Sequence, residues 1–141
     1  MTLNFNYKSV KRPDGTEVKI PSIPIVIKGK ENIETIGLLD SGADISAIPK
    51  DFAELLGLKI DGKKSPAWGI GGKVDAVDTK MNITIEKGHE HYNFQIPVKV
   101  ILDDYDFPVL LGRSGIFDKF VVSFNQSREK VSLKRFSQRV Y

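Results

Sequence analysis

Apolar residues recur along almost the whole of this chain with a period of two. Leu3, Phe5 and Tyr7 alternate with polar neighbours, as do Met81, Ile83 and Ile85, and then Tyr92, Phe94, Ile96 and Val98. Side chains on a strand point alternately to its two faces, so this pattern describes half-buried strands and not helices. One short stretch, Pro49 to Leu56, has the helical period instead, with Phe52, Leu55 and Leu56 at i, i+3 and i+4. Pro49 suits the first helical position and Gly57 suits the C-terminal cap. A mainly-β fold with one or two short helices follows.

Turn chemistry divides the strands. Pro13-Asp14-Gly15 sets a turn, since proline presets φ and glycine accepts a positive one. It predicts an N-terminal hairpin from Leu3 to Ile20, within residues 1–20. Ile23 to Ile27 and Ile33 to Leu39 flank Lys28-Gly29-Lys30-Glu31, and their near-continuous apolar character predicts burial on both faces. A long hairpin is expected around Gly88. Val109-Leu110-Leu111 reads as a short buried strand ending at Gly112, followed by one or two helical turns between Arg113 and Asp118. Val121 to Phe124 and Val131 to Leu133 close the chain as a last hairpin, and residues 125–141 supply a further strand and tail. With no linker or low-complexity tract, residues 1–141 are expected to form one domain.

Composition narrows the chemistry. The 141 residues carry 21 Lys+Arg against 18 Asp+Glu, a net charge of +3, which is too small to argue for a nucleic-acid partner. The basic residues gather late, at Arg128, Lys130, Lys134, Arg135 and Arg139, and read as a solvated edge strand and tail. Cysteine is absent, which excludes disulfides and thiolate catalysis. The N-terminus has no signal-peptide anatomy, and the apolar runs are far below the roughly 20 residues of a membrane span. A soluble, cytoplasmic protein without membrane contact is therefore expected, and Met1 suggests an independent product. The length excludes two full-sized lobes with a cleft between them.

The segment that carries chemistry is Leu38-Leu39-Asp40-Ser41-Gly42-Ala43-Asp44, where an apolar strand runs straight into a carboxylate, a hydroxyl and a glycine. Taken alone it could be a plain turn, with Asp40 making an Asx hydrogen bond and Gly42 a positive φ. Two further segments change its weight: Trp68-Gly69-Ile70-Gly71-Gly72, a glycine-rich stretch, and Val109-Leu110-Leu111-Gly112-Arg113. Together and in this order the three resemble the retropepsin-like aspartic proteases, from the apolar-apolar-Asp-Ser-Gly-Ala signature through the flap tip to the apolar-apolar-Gly-Arg element. The resemblance runs from Ile23 to Phe124.

It implies a closed acid-protease-type β-barrel half with a flap hairpin, working as an aspartic endopeptidase without cofactor. Asp40 would be the catalytic aspartate. Ser41 and Gly42 would support the dyad, Ser41 by hydrogen-bonding across a dimer axis. Gly42, Ala43 and Asp44 would bind the substrate backbone, and Asp44 would pair with Arg113. Trp68, Gly69, Ile70, Gly71 and Gly72 would close over the substrate, although Trp68 could equally be a core residue. The chain departs from the viral members at both ends, which are longer here, and it has no arginine just before Pro24.

Aspartic protease chemistry needs two adjacent carboxylates sharing one proton. No second Asp-Ser/Thr-Gly occurs: Asp14-Gly15 and Asp61-Gly62 read as turns, and Asp103, Asp104 and Asp106 as a solvated acidic loop. A homodimer acting on polypeptide is therefore expected. The alternative of a different class is a non-catalytic peptide-binding or dimerisation module on the same fold. His89-Glu90-His91 could place two imidazoles on one strand face, but no further ligand is indicated and no metal is assigned. Asn82-Ile83-Thr84 reads as strand, and Gly69 to Gly72 lacks the Gly-Lys-Ser/Thr of a phosphate loop.

Overall fold

The computed structural model describes residues 2–69, 71–103 and 107–135. Its centre is a closed six-stranded barrel. The barrel strands are β4 (Ser22–Lys28), β5 (Ile33–Leu39), β6 (Ser46–Pro49), β9 (Ala76–Lys87), β10 (Glu90–Ile101) and β11 (Val109–Leu111). They run round the barrel in the order β10-β6-β11-β5-β4-β9. The alternation in the sequence becomes the barrel interior: Ile23, Ile25 and Ile27, Met81, Ile83 and Ile85, and Ile96, Val98 and Val100 are all buried. Each large aliphatic side chain removed from water contributes about 1.5–3 kcal/mol. Closure leaves no free barrel edge.

β4 and β5 are not buried on both faces. Ile23, Ile25 and Ile27 point inward, while Pro24 is exposed and Ile36 and Leu38 are half-buried. A single barrel wall has one dry side, and among the described residues the other side of these strands is only partly covered.

β9 and β10 form the expected hairpin, paired over its whole length from Lys87↔Glu90 to Ala76↔Ile101. Gly88 takes the positive φ of 62° that its tight turn requires. The helix α1 (Lys50–Leu56) begins one residue later than predicted, because Pro49 is the extended N-cap and not the first helical residue. Gly57 caps the other end at φ 71°. Its buried residues are Ala53 and Leu56, and Leu55 is 48% exposed, so the apolar stripe is narrower than the spacing implied.

The termini differ most from expectation. The N-terminal segment is not one hairpin from Leu3 to Ile20. β1 (Thr2–Asn6) pairs with the last strand, β13 (Lys130–Arg135), matching Leu3 with Leu133 and Phe5 with Val131. Only β2 (Lys8–Lys11) and β3 (Glu17–Ile20) form a hairpin, closed by Asp14 accepting from the Thr16 N–H at 2.9 Å. Two matched apolar pairs outweigh simple proximity along the chain.

β12 (Phe120–Asn125) completes the sheet β1-β13-β12, so the last hairpin stands as read. β13 is its central strand and not an edge. Lys130 and Lys134 are exposed, while Arg135 stacks 5.0 Å from the Tyr92 ring. Arg139 lies outside the described residues. Phe120 packs edge-on against Tyr92 at 5.4 Å, which fastens this sheet to the β9–β10 hairpin. No helix among the described residues is long and apolar enough to cross a membrane.

Candidate active site

The site is built where β5 and β11 end side by side. β11 lies between β5 and β6, parallel to β5, with Leu111 beside Leu39. Asp40, the first residue beyond β5, donates its N–H to the Leu111 carbonyl at 3.0 Å. The next residue of the other strand, Gly112, donates its N–H to the buried Ser46 hydroxyl at 3.0 Å. A Cβ on Gly112 would stand 2.6 Å from the Ile45 carbonyl carbon and 2.8 Å from its oxygen. Glycine is needed here for close approach of two backbones.

The loop after Asp40 is held from two sides. From within, Asp40 Oδ1 accepts the Gly42 N–H at 2.9 Å, and the Ala43 N–H reaches the Asp40 carbonyl at 3.2 Å. The Asx bond expected of a plain turn is thus present, but Gly42 is not among the residues with positive φ. From outside come three bonds. The Arg113 guanidinium donates to the Ser41 carbonyl at 2.8 Å, the Arg113 N–H to the Ala43 carbonyl at 2.8 Å, and the Ser114 N–H to the Asp44 carbonyl at 2.9 Å. Three carbonyls of the loop, those of Ser41, Ala43 and Asp44, are thereby satisfied by the helical turn Arg113–Phe117. That turn is kinked at Ser114 and Gly115, and Gly115 has φ 99°.

Asp44 and Arg113 are linked only through their neighbours: the Arg113 N–H goes to the Ala43 carbonyl and the Asp44 carbonyl accepts from Ser114. The expected side-chain ion pair between them is not among those formed by the described residues. The guanidinium is engaged at Ser41, which takes it away from the Asp44 carboxylate. Asp40 is half-buried, and Ser41, Gly42 and Asp44 are exposed.

Beside this loop opens a cleft of about 760 Å³, lined by Gly42, Ala43 and Asp44 and by residues of the glycine-rich hairpin. That hairpin is β7 (Ala67–Gly69) with β8 (Gly72–Val74), paired Gly69↔Gly72 and Trp68↔Lys73. Trp68 is 75% exposed and is not a core residue. Ile70 lies outside the described residues. A Cβ on Gly69 or Gly71 would meet no atom within 4 Å among the described residues beyond its chain neighbours.

Residues 23–114 match the family model described as aspartyl protease. The chain belongs to the aspartyl protease family. As a family member it shares its fold with a retropepsin-like aspartic protease from Rickettsia conorii (20% identity, 94% of this chain and 91% of that chain, TM-score 0.57). It is also similar to the retroviral protease-like domain of Ddi1 from Leishmania major (14% identity, 85% and 96%, TM-score 0.52). An EIAV protease complexed with the inhibitor HBY-793 aligns over 67% of this chain and 83% of that one at 26% identity, with TM-score 0.43. No curated protein matches the chain.

The fold of this aspartyl protease family member lines one cleft with Gly42, Ala43 and Asp44 of the Asp40 loop and with Trp68, Gly69, Gly71 and Gly72 of the hairpin. Three residues of the cleft wall were missed. Lys99 donates to Asp78 Oδ1 and to Ser65 Oγ, each at 2.9 Å. The signal was present: pairing outward from a turn at Gly88 sets Lys99 opposite Asp78. His91 faces Glu86 at 3.0 Å, and no group able to hold a metal occurs among the described residues. Thr84 is buried and its hydroxyl bonds to Asn93, in keeping with a strand role for Asn82 to Thr84. Asp103 is exposed, while Asp104 and Asp106 lie outside the described residues.

Proposed function

We propose that this chain is an aspartic endopeptidase that works as a homodimer on extended polypeptide, with Asp40 of each copy supplying one carboxylate. The observation that supports this most is the double restraint on the Asp40 loop, from Leu111 and the Gly42 N–H on one side and from Arg113 and Ser114 on the other. It fixes a carboxylate beside a peptide-sized cleft without covering it. Preorganisation of that kind is what proton-transfer chemistry needs.

One Asp40 cannot do the reaction. In the dimer, two-fold symmetry sets identical loops face to face. The two carboxylates hold one proton between them, because two adjacent negative charges are costly. The ionised carboxylate takes a proton from water as the oxygen attacks the scissile carbonyl. The protonated one hydrogen-bonds the carbonyl oxygen as negative charge develops there. On collapse a carboxyl group returns a proton to the leaving amine and the peptide bond breaks.

The remaining residues take supporting roles. Ser41 ties the two loops across the axis. Gly42, Ala43 and Asp44 receive the peptide backbone as an added strand. Trp68, Gly69, Ile70, Gly71 and Gly72 close over it as a flap, excluding water during the reaction.

The test is digestion of a peptide library between pH 4 and 8 by the wild type and by Asp40→Asn. Cleavage by the wild type, reduced at least about a thousandfold in the variant, supports the proposal. Cleavage that does not depend on Asp40 overturns it. Peptide binding without cleavage at any concentration or pH would instead identify a non-catalytic peptide-binding module.

A further inference from the structure

The cleft wall contains a charged cluster that the dyad does not use. Lys99 and Asp78 stand directly opposite one another on β10 and β9, and both line the cleft together with Ser65. Lys99 Nζ lies 2.9 Å from Asp78 Oδ1 and 2.9 Å from Ser65 Oγ. The Lys99 side chain is only 15% exposed, and that of Asp78 46%. The neighbouring wall is apolar, with Ala67, Val74, Ile101 and Leu110.

An ammonium has three donors, and a carboxylate has two acceptor oxygens. Among the described residues, the two bonds of Lys99 leave one N–H unused, and Asp78 leaves one oxygen unused. The cleft wall therefore offers one donor and one acceptor side by side, in a cluster of zero net charge.

We infer that this cluster is a substrate subsite selective for an amide side chain, glutamine or asparagine. The inference rests on the reading of the cleft as a peptide site. A carboxamide carries one carbonyl acceptor and an NH2 donor, so a single side chain completes both Lys99 and Asp78. An acidic side chain would meet Lys99 but lie against Asp78, and a basic one the reverse. Either would bring an unbalanced charge against an apolar wall. An aliphatic side chain would cover both groups and satisfy neither, which costs the desolvation of each. Discrimination by polar groups left unpaired is stronger than discrimination by size.

Lys99 also ties Ser65, at the root of the glycine-rich hairpin, to the barrel, so loss of activity on mutation is not a sufficient test. The deciding experiment compares peptide preference. Cleavage sites of a random peptide library are read by mass spectrometry for the wild type, Lys99→Met and Asp78→Asn. In the wild type, one position relative to the cut should favour glutamine and asparagine over leucine by about tenfold in kcat/KM. Lys99→Met leaves an unpaired carboxylate and should move that preference to lysine and arginine. Asp78→Asn leaves an unpaired ammonium and should move it to glutamate and aspartate. A merely structural tie would not shift preference in opposite directions.

Asp40-dependent cleavage with no amide preference, or with the same preference in all three proteins, overturns the subsite. The same peptides are titrated by fluorescence anisotropy against Asp40→Asn, which separates the two claims. Tighter binding of the glutamine peptide than its leucine twin, with no cleavage by the wild type, would keep the subsite and refute the endopeptidase. Absence of both binding and cleavage refutes both.

Discussion

Substituting Gly112 by alanine tests whether the crossing of two backbones at the site is as tight as the geometry states. The new methyl carbon would lie 2.6 Å from the Ile45 carbonyl carbon, 2.8 Å from its oxygen and 2.9 Å from the Ser46 nitrogen. All three are backbone atoms, so no flexible side chain can yield. Overpacking of this kind costs about 1–3 kcal/mol. Moving Gly112 also stretches its 3.0 Å bond to the buried Ser46 hydroxyl, worth about 1 kcal/mol more. The sum is about 3 kcal/mol, or a melting temperature lower by about 10 °C for a chain of this size.

The assay is urea and thermal unfolding followed by circular dichroism at one fixed protein concentration, since the stability of the proposed dimer would depend on it. Gly69→Ala is the control, because a Cβ there meets nothing within 4 Å and Gly69 has no positive φ. It should change stability by less than about 0.5 kcal/mol. A Gly112→Ala protein as stable as the wild type, or equal losses in both variants, would refute the reasoning.

Two further outcomes follow from the same geometry. Arg113→Ala removes the guanidinium from the Ser41 carbonyl; on an exposed loop this should cost about 1 kcal/mol of stability but a larger share of kcat, with Arg113→Lys restoring stability more than turnover. Steady-state kinetics beside urea melts separates the two effects. Tyr92 donates its phenol to Glu90, which raises its pKa above the ordinary tyrosine value. The native state therefore holds this proton more tightly than the unfolded chain. That contribution is full below about pH 10 and is lost as pH rises through the raised value. Ultraviolet titration of the phenols should show Tyr92 shifting downward in Glu90→Gln, and an unchanged curve would contradict the assignment.

The barrel was legible in the sequence because a single physical rule wrote it. Inward residues of β4, β9 and β10 must be apolar at every second position, and they are. The Asp40 loop was legible for a different reason: Asp40, the glycine-rich hairpin and Gly112 carry motifs whose order along the chain is more specific than any one of them. What failed was pairing over long sequence distance. Leu3 and Phe5 alternate equally well for a partner at Val18 or at Val131, and only the folded register selects β13. The Asp44–Arg113 pair did not form because an arginine beside a turn has several acceptors within reach, and the Ser41 carbonyl took the guanidinium. Lys99 was passed over because a lone lysine between buried valines reads as an ordinary outward residue. Its significance came from what lies across the hairpin.

The central claim, that the dyad is made of Asp40 from two copies, is tested most directly by specific activity measured across protein concentration. Sedimentation on the same samples gives the fraction of dimer. Activity per subunit should follow that fraction and vanish as the protein becomes monomeric. Constant activity per subunit in samples that are wholly monomeric would contradict it.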